Sequence, residues 1–157
     1  MIYVWKLYPT VNQDGDPETN PISSFKYQKI SFSSIAVHKP YEALQPIIYS
    51  TGSDRSIRET VGNQEMLRYE ENVTYSQILV GYQRNLLFAG LAEPNRPGSI
   101  QIFRYANDTM VKEVEVQAHA QQIERMRLNY DNSKLFSIGI DGTLACFSVR
   151  EHDSLAK

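Results

Sequence analysis

Residues 137–149 read "SIGIDGTLACFSV", and the architecture of the chain follows from how this stretch is interpreted. Two short apolar runs flank an Asp141-Gly142-Thr143 turn, and the second run closes on Phe147-Ser148. Asp-Gly between alternating apolar residues is a strong hairpin signal, because glycine accepts the positive φ that tight hairpin turns require. Asp141 could serve that hairpin or act as a working carboxylate. The rest of the chain separates the two.

The turn has counterparts upstream. "GSDRSIRET" (52–60), "RPGSIQIFRY" (96–105) and "GIDGTLACFS" (139–148) align on their turn and following strand, which makes Ser56, Ser99 and Thr143 equivalent and places them 43 and 44 residues apart. An apolar run precedes each one: "PIIYST", "NLLFAG" and "KLFSIG". Trp5 in "IYVWKL" falls in the register of Thr60, Phe103 and Phe147, as though the chain enters midway through a repeat. A period near 43 built from short strands and a tight turn is the signature of β-propeller blades.

Composition agrees. Ten Tyr, six Phe and many β-branched residues favour strands, and alternation recurs in "SIRETV", "SIQIFRY", "VKEVEVQ" and "RMRLNY". The one competing helix is "AHAQQIERMRL" (118–128). Its apolar residues move to a two-residue period from Ile123 onward, so a loop followed by a strand is expected. Residues 9–21, "PTVNQDGDPETNP", read as an exposed loop, and "AEPNRPG" (92–98) as a smaller insertion. A net charge of −2 lacks the basic bias of nucleic-acid binders. No run reaches the ~18 apolar residues of a membrane helix. The N-terminus has no secretory pattern, so the sequons at Asn72 and Asn107 are read as chance. Cys146, the only cysteine, excludes an internal disulfide, fits a reducing cytoplasmic compartment and is expected as a small core residue in a strand.

The last unit, "AHAQQIERMRLNYDNSKLFSIGIDGTLACFSV", resembles a diverged WD repeat. Ala118-His119 stands where the family has Gly-His, "NYDNSKL" at its Pro-Asp-Gly type turn, and Phe147-Ser148 at its Trp-Asp. The run from "GSDRSIRE" to "GIDGTL" is similar to large axonemal WD-repeat proteins. The expected fold is therefore all-β: about three WD40-type β-propeller blades of four-stranded antiparallel sheets, forming an incomplete propeller. The expected divisions are residues 1–28 as the end of one blade plus a loop, 29–71 and 72–117 as blades, and 118–157 as an incomplete last blade, with two, four, four and three strands in turn.

His119, Ser137 and Asp141 invite a serine-hydrolase reading as base, nucleophile and orienter. The resemblance implies instead a buried structural network, in which Asp141 orients His119 and caps turn amides while His119 bonds Ser137. Phe147 has no N–H, so the chain of bonds ends at Ser137. No Gly-x-Ser-x-Gly elbow supports the hydrolase. Ser50 and Asp54 repeat the spacing of Ser137 and Asp141 in a blade that lacks the His, and the middle blade replaces the Asp turn with the insertion. His38, His119 and His152 are too scattered for a metal site, and no cofactor is expected. "DRSIRE" (54–59) reads as a solvated face, and Arg125 and Arg127, flanking Met126, as outward-pointing.

The resemblance implies a non-enzymatic protein-interaction scaffold of the cilium or flagellum axoneme, helping to organise inner dynein arms and ciliary motility. Its partners would be other axonemal proteins met at the rims, with the loops at 9–21 and 92–98 among the contacts. Blade faces left open also invite a homo-oligomer that completes the propeller. A general peptide-binding module outside cilia is the remaining alternative.

Overall fold

Each sheet is a meander, because a two-residue hydrophobic period joined by tight turns lets consecutive strands pair with their neighbours. The structure is a computed structural model that describes residues 1–4, 11, 13–15, 20–21, 23–27, 29–41, 43–83, 85–106 and 109–150. The register assigned to Trp5, most of the 9–21 loop, and His152 lie outside these residues.

Strands β1 (Ile2–Val4) and β2 (Ser23–Phe25) form a two-stranded antiparallel ribbon. The first sheet runs β3 (Phe32–His38), β4 (Ile47–Gly52), β5 (Ser56–Val61) and β6 (Gln64–Glu70), with neighbours in sequence order. The second runs β7 (Tyr75–Gly81), β8 (Leu86–Leu91), β9 (Ser99–Ala106) and β10 (Thr109–Gln117) in the same way. The third holds β11 (Ile123–Leu128), β12 (Lys134–Gly139) and β13 (Leu144–Ser148). No helix occurs among the described residues. The segment at 118–128 is a loop followed by β11, as its change of period predicts, and Arg125 and Arg127 are exposed around a buried Met126.

The sheets stack face to face through two apolar seams. Tyr49, Ile57, Tyr75, Leu87 and Phe103 fill the seam between the first and second sheets. Leu86, Phe88, Ile100, Ile123, Met126 and Leu135 fill the next. At ~25 cal/mol per Å² of apolar area removed from water, these seams dominate the stability of the stack. Strand β8 is buried at every residue because it lies inside a sheet with neighbours on both faces. Its counterpart β12 alternates between exposed and buried, having a sheet on one face only among the described residues.

A repeated bulge ties the sheets together. The register slips at the second residue of each first strand, between Phe32 and Ser34, Tyr75 and Gln77, and Ile123 and Arg125. A bulge re-aims the extra residue. In two cases that residue is a serine: Ser33 Oγ donates to the Tyr75 carbonyl at 2.9 Å, and Ser76 Oγ to the Ile123 carbonyl at 3.2 Å. Each bond joins one sheet to the first strand of the next.

Two expectations are corrected. Cys146 lies in a strand but is exposed, because no described residue covers its face of the third sheet. The "DRSIRE" stretch is not a uniformly solvated face: Arg58 is fully buried, since it sits on the central strand β5 beneath Tyr27, whose ring lies 4.9 Å from the guanidinium carbon.

Candidate functional site

The candidate site is set by the loop entering the third sheet and the turn between β12 and β13. Gly98 accepts hydrogen bonds from the Ala118 and His119 amides at 3.0 and 3.1 Å, which fixes the loop. Its φ of 74° suits glycine, and a Cβ there would strike the His119 carbonyl. Gly139 leaves room for the imidazole, because a Cβ there would sit 2.8 Å from His119 Cγ.

In this setting His119 Nε2 lies 2.8 Å from Ser137 Oγ, and Nδ1 lies 2.6 Å from Thr143 Oγ1. The Thr143 hydroxyl donates to Asp141 Oδ1 at 2.6 Å, and the Thr143 amide reaches the same oxygen at 3.0 Å. Asp141 Oδ2 accepts the Ala120 amide at 2.8 Å. The direction of the chain follows from the ends. An ionised carboxylate only accepts, so Thr143 spends its proton on Asp141 and its oxygen accepts Nδ1–H. Nε2 then accepts the proton of Ser137. The Thr143 bonds, ahead of the Ala120 amide, hold the Asp141 carboxyl down at about 2.

The order is thus Ser137–His119–Thr143–Asp141, with Asp141 Oδ1 3.7 Å from the imidazole. Thr143 is the residue that sequence reasoning missed in this role. The signal was present as the Asp-x-Thr spacing, which lets a carboxylate bond the backbone and hydroxyl two residues on. Ser137 and His119 are 1% and 4% exposed. Phe147 packs against the apolar seam beside them.

Ser50 and Asp54 are not joined in this way. Ser50 Oγ is buried and has no hydrogen-bond partner among the described residues. Asp54 turns to Ser56 Oγ at 2.8 Å and Arg58 Nη1 at 3.1 Å. The guanidinium also pairs with Asp54 through Nη2 and with Glu65 through Nε at 3.2 Å. Arg58, paired opposite Ser50 across β4 and β5, takes the carboxylate that in the third sheet holds the His119 loop. In the second sheet the equivalent pair is Ala89 and Gln101. Gln101 accepts from the Tyr75 hydroxyl and donates to Glu71 and Glu115.

The 92–98 loop is held to the body of the protein. Glu93 accepts the Thr74 amide, and Arg96 donates to Glu115 at 2.8 Å. Among the described residues no group of three His, Cys, Asp or Glu could hold a metal ion, and no helix is long and apolar enough to cross a membrane.

Comparison with known proteins places these features in context. No family model matches the chain. It is 26% identical over 155 residues to cilia- and flagella-associated protein 57 of Mus musculus, and 33% identical over 84 residues to cilia- and flagella-associated protein 57 A of Tetrahymena thermophila. These alignments take in 97% and 52% of the chain but span only 11% and 6% of the relatives' lengths. Among solved structures, a chain of the mitotic checkpoint complex superimposes with a TM-score of 0.62 at 15% identity, over 74% of this chain and 38% of that one. A putative 6-phosphogluconolactonase from Bacteroides uniformis gives 0.60 at 11% identity, over 91% and 47%. At such identities the structural likeness shows the fold alone. The chain is an open, all-β stack of WD-type β-propeller blades, and it resembles one part of cilia- and flagella-associated protein 57.

Proposed function

We propose that the chain is a non-enzymatic protein-interaction scaffold of the ciliary or flagellar axoneme. The observation that carries this reading is the similarity to cilia- and flagella-associated protein 57 along nearly the whole chain. A stack of sheets locked by apolar seams offers rigid rims, and rims of this kind bind other proteins through loops. On this reading the partners are axonemal proteins, inner dynein arm components among them. The loops at 9–21 and 92–98 are the contacts, and residues 29–71, 72–117 and 118–157 are the successive blades after an entry segment at 1–28.

The buried hydrogen-bond chain supports a structural role. Ser137 and His119 have the spacing of a nucleophile and its base, but a nucleophile must meet its substrate. Ser137 sits inside a strand beneath the second sheet, and the groove of about 720 Å³ beside β13 is lined by neither residue. His119, Ser137, Thr143 and Asp141 therefore act by fixing the loop that enters the third blade. Ser50 and Asp54 hold the matching positions in the first.

The test is a tagged protein expressed in ciliated cells. Retention in detergent-extracted axonemes, with inner-arm proteins captured by proximity labelling, is the expected result. A diffuse cytoplasmic signal would favour a general peptide-binding module, and labelling of Ser137 by a serine-reactive phosphonate would reverse the assignment to a non-enzyme.

A further inference from the structure

The turns that join the first strand of each sheet to its second, residues 39–46, 82–85 and 129–133, lie side by side on one rim. The His38 and Tyr82 rings stack at 5.8 Å with 11° between their planes, which ties the first turn to the second. The Gln83 side-chain amide donates to the Tyr130 carbonyl at 3.4 Å and its backbone amide to Asn132 Oδ1 at 3.4 Å, which ties the second to the third. Asn132 is buried with a φ of 54°, and its side-chain amide donates to the Asn129 and Tyr130 carbonyls, holding the third turn in one shape. A rim is built from strand ends, so a further sheet stacked on either flank leaves it in place.

Turn tips ordinarily carry small polar residues. These carry Tyr41, Leu44, Tyr82 and Tyr130, at 102%, 98%, 46% and 91% exposure. The turns of the opposite rim, 53–55, 92–98 and 140–143, expose Ile140 alone among large apolar side chains. Burial lowers the His38 imidazole from its usual 6.5, so the stack with Tyr82 is an uncharged platform at neutral pH. Beside it lie Lys39, Arg127 and Lys134, all exposed and without an ion pair among the described residues. The described acid of these turns, Asp131, is turned onto the Ser133 amide and hydroxyl at 3.0 and 2.6 Å. The rim thus joins aromatic faces to unpaired positive charge.

We propose that this rim binds an extended, proline-containing acidic segment of a partner protein. Tyrosines suit such a segment: their rings pack on pyrrolidines, and their hydroxyls donate to carbonyls that an extended chain leaves unpaired. Charge complementarity sets its acidity, since carboxylates on the segment meet Lys39, Arg127 and Lys134. The inference deepens the scaffold reading and rests on it for the partner being a protein. It adds a second rim to the contacts at 9–21 and 92–98, and it does not depend on the ciliary location.

The chain is titrated with a fluorescent peptide of Pro-Pro-Glu repeats, read by anisotropy. Saturable binding that weakens with salt is expected, with Tyr82→Ser and Tyr130→Ser each weakening it about tenfold. Both lie at exposed turn positions, so each variant is expected to keep the wild-type circular dichroism spectrum. Leu144→Ser, exposed but at the other end of its sheet, is expected to keep the wild-type affinity. A peptide of Pro-Pro-Lys repeats is expected to bind about tenfold more weakly or not at all. Absence of binding at high micromolar peptide overturns the proposal, as do equal binding of the lysine peptide and an affinity unchanged in both tyrosine variants. Capture of phosphatidylserine vesicles that the tyrosine variants lose would make the rim a membrane contact, and self-association that they lose would make it a contact between copies; either result overturns it. If the peptide fails while axonemal retention holds, the rim assignment falls and the scaffold reading stands. If retention fails while the peptide binds, the rim assignment stands without the ciliary location.

Discussion

The first and third sheets answer the same structural need with different chemistry. Both place an Asp four residues after a buried Ser, and both use that Asp to bond a hydroxyl two residues on, Ser56 in one and Thr143 in the other. In the third sheet the hydroxyl passes the interaction to His119 and so to Ser137. In the first sheet a guanidinium fills that space and leaves Ser50 without a partner among the described residues. The turn is therefore the common part of the device, while the group it holds depends on whether an arginine or an incoming histidine reaches it. An arginine brings a charge into a buried place, so it needs two carboxylates. The imidazole is met by two hydroxyls.

The contrast can be broken at the arginine first. Asp54→Ala leaves a buried guanidinium with Glu65 alone and is expected to cost about 3 kcal/mol in denaturant unfolding. Arg58→Met, which removes the charge and keeps the bulk, is expected to cost much less. If Asp54→Ala proves neutral, the buried pairing does not organise this sheet. His119→Leu strands the buried hydroxyl of Ser137 while Thr143 keeps its bond to Asp141, for an expected loss of about 2 kcal/mol in the same assay. Thr143→Val keeps the shape and removes the link, at about 1 kcal/mol, with hydrogen exchange of the Ala120 amide rising.

The smallest effect is acid sensitivity. Asp141 titrates at about 2 in the folded protein, against an ordinary value of 3.8. A depressed carboxyl contributes stability that is complete above the unfolded value and fades as pH falls toward the folded one. Unfolding monitored between pH 4 and pH 2 is therefore expected to show a step that Asp141→Asn lacks.

Much of the fold could be read from the sequence. The spacing of Ser56, Ser99 and Thr143 marked three repeated strand-turn units, and the two-residue period after Ile123 distinguished β11 from a helix. These features depend on local periodicity and turn chemistry, which residues carry in their own order. The candidate site was legible as a set of positions, since His119, Ser137 and Asp141 do come together. The order of their bonds was not, because the insertion of Thr143 between His119 and Asp141 depends on rotamers set by neighbouring backbone. Arg58 was misread for a related reason. Charge alternation describes a strand's two faces but not which face another segment covers.

Cys146 shows the same limit from the other side, an apolar position on a strand that no other described segment covers. The strand-turn repeat and the residues able to serve each turn are written in the order of the amino acids, since hairpins and alternation are local properties. Which faces are buried, which carboxylate meets which cation, and which apolar face stays open came only with the packing of one sheet on another. Burial is a relation between sheets, and no single repeat contains it.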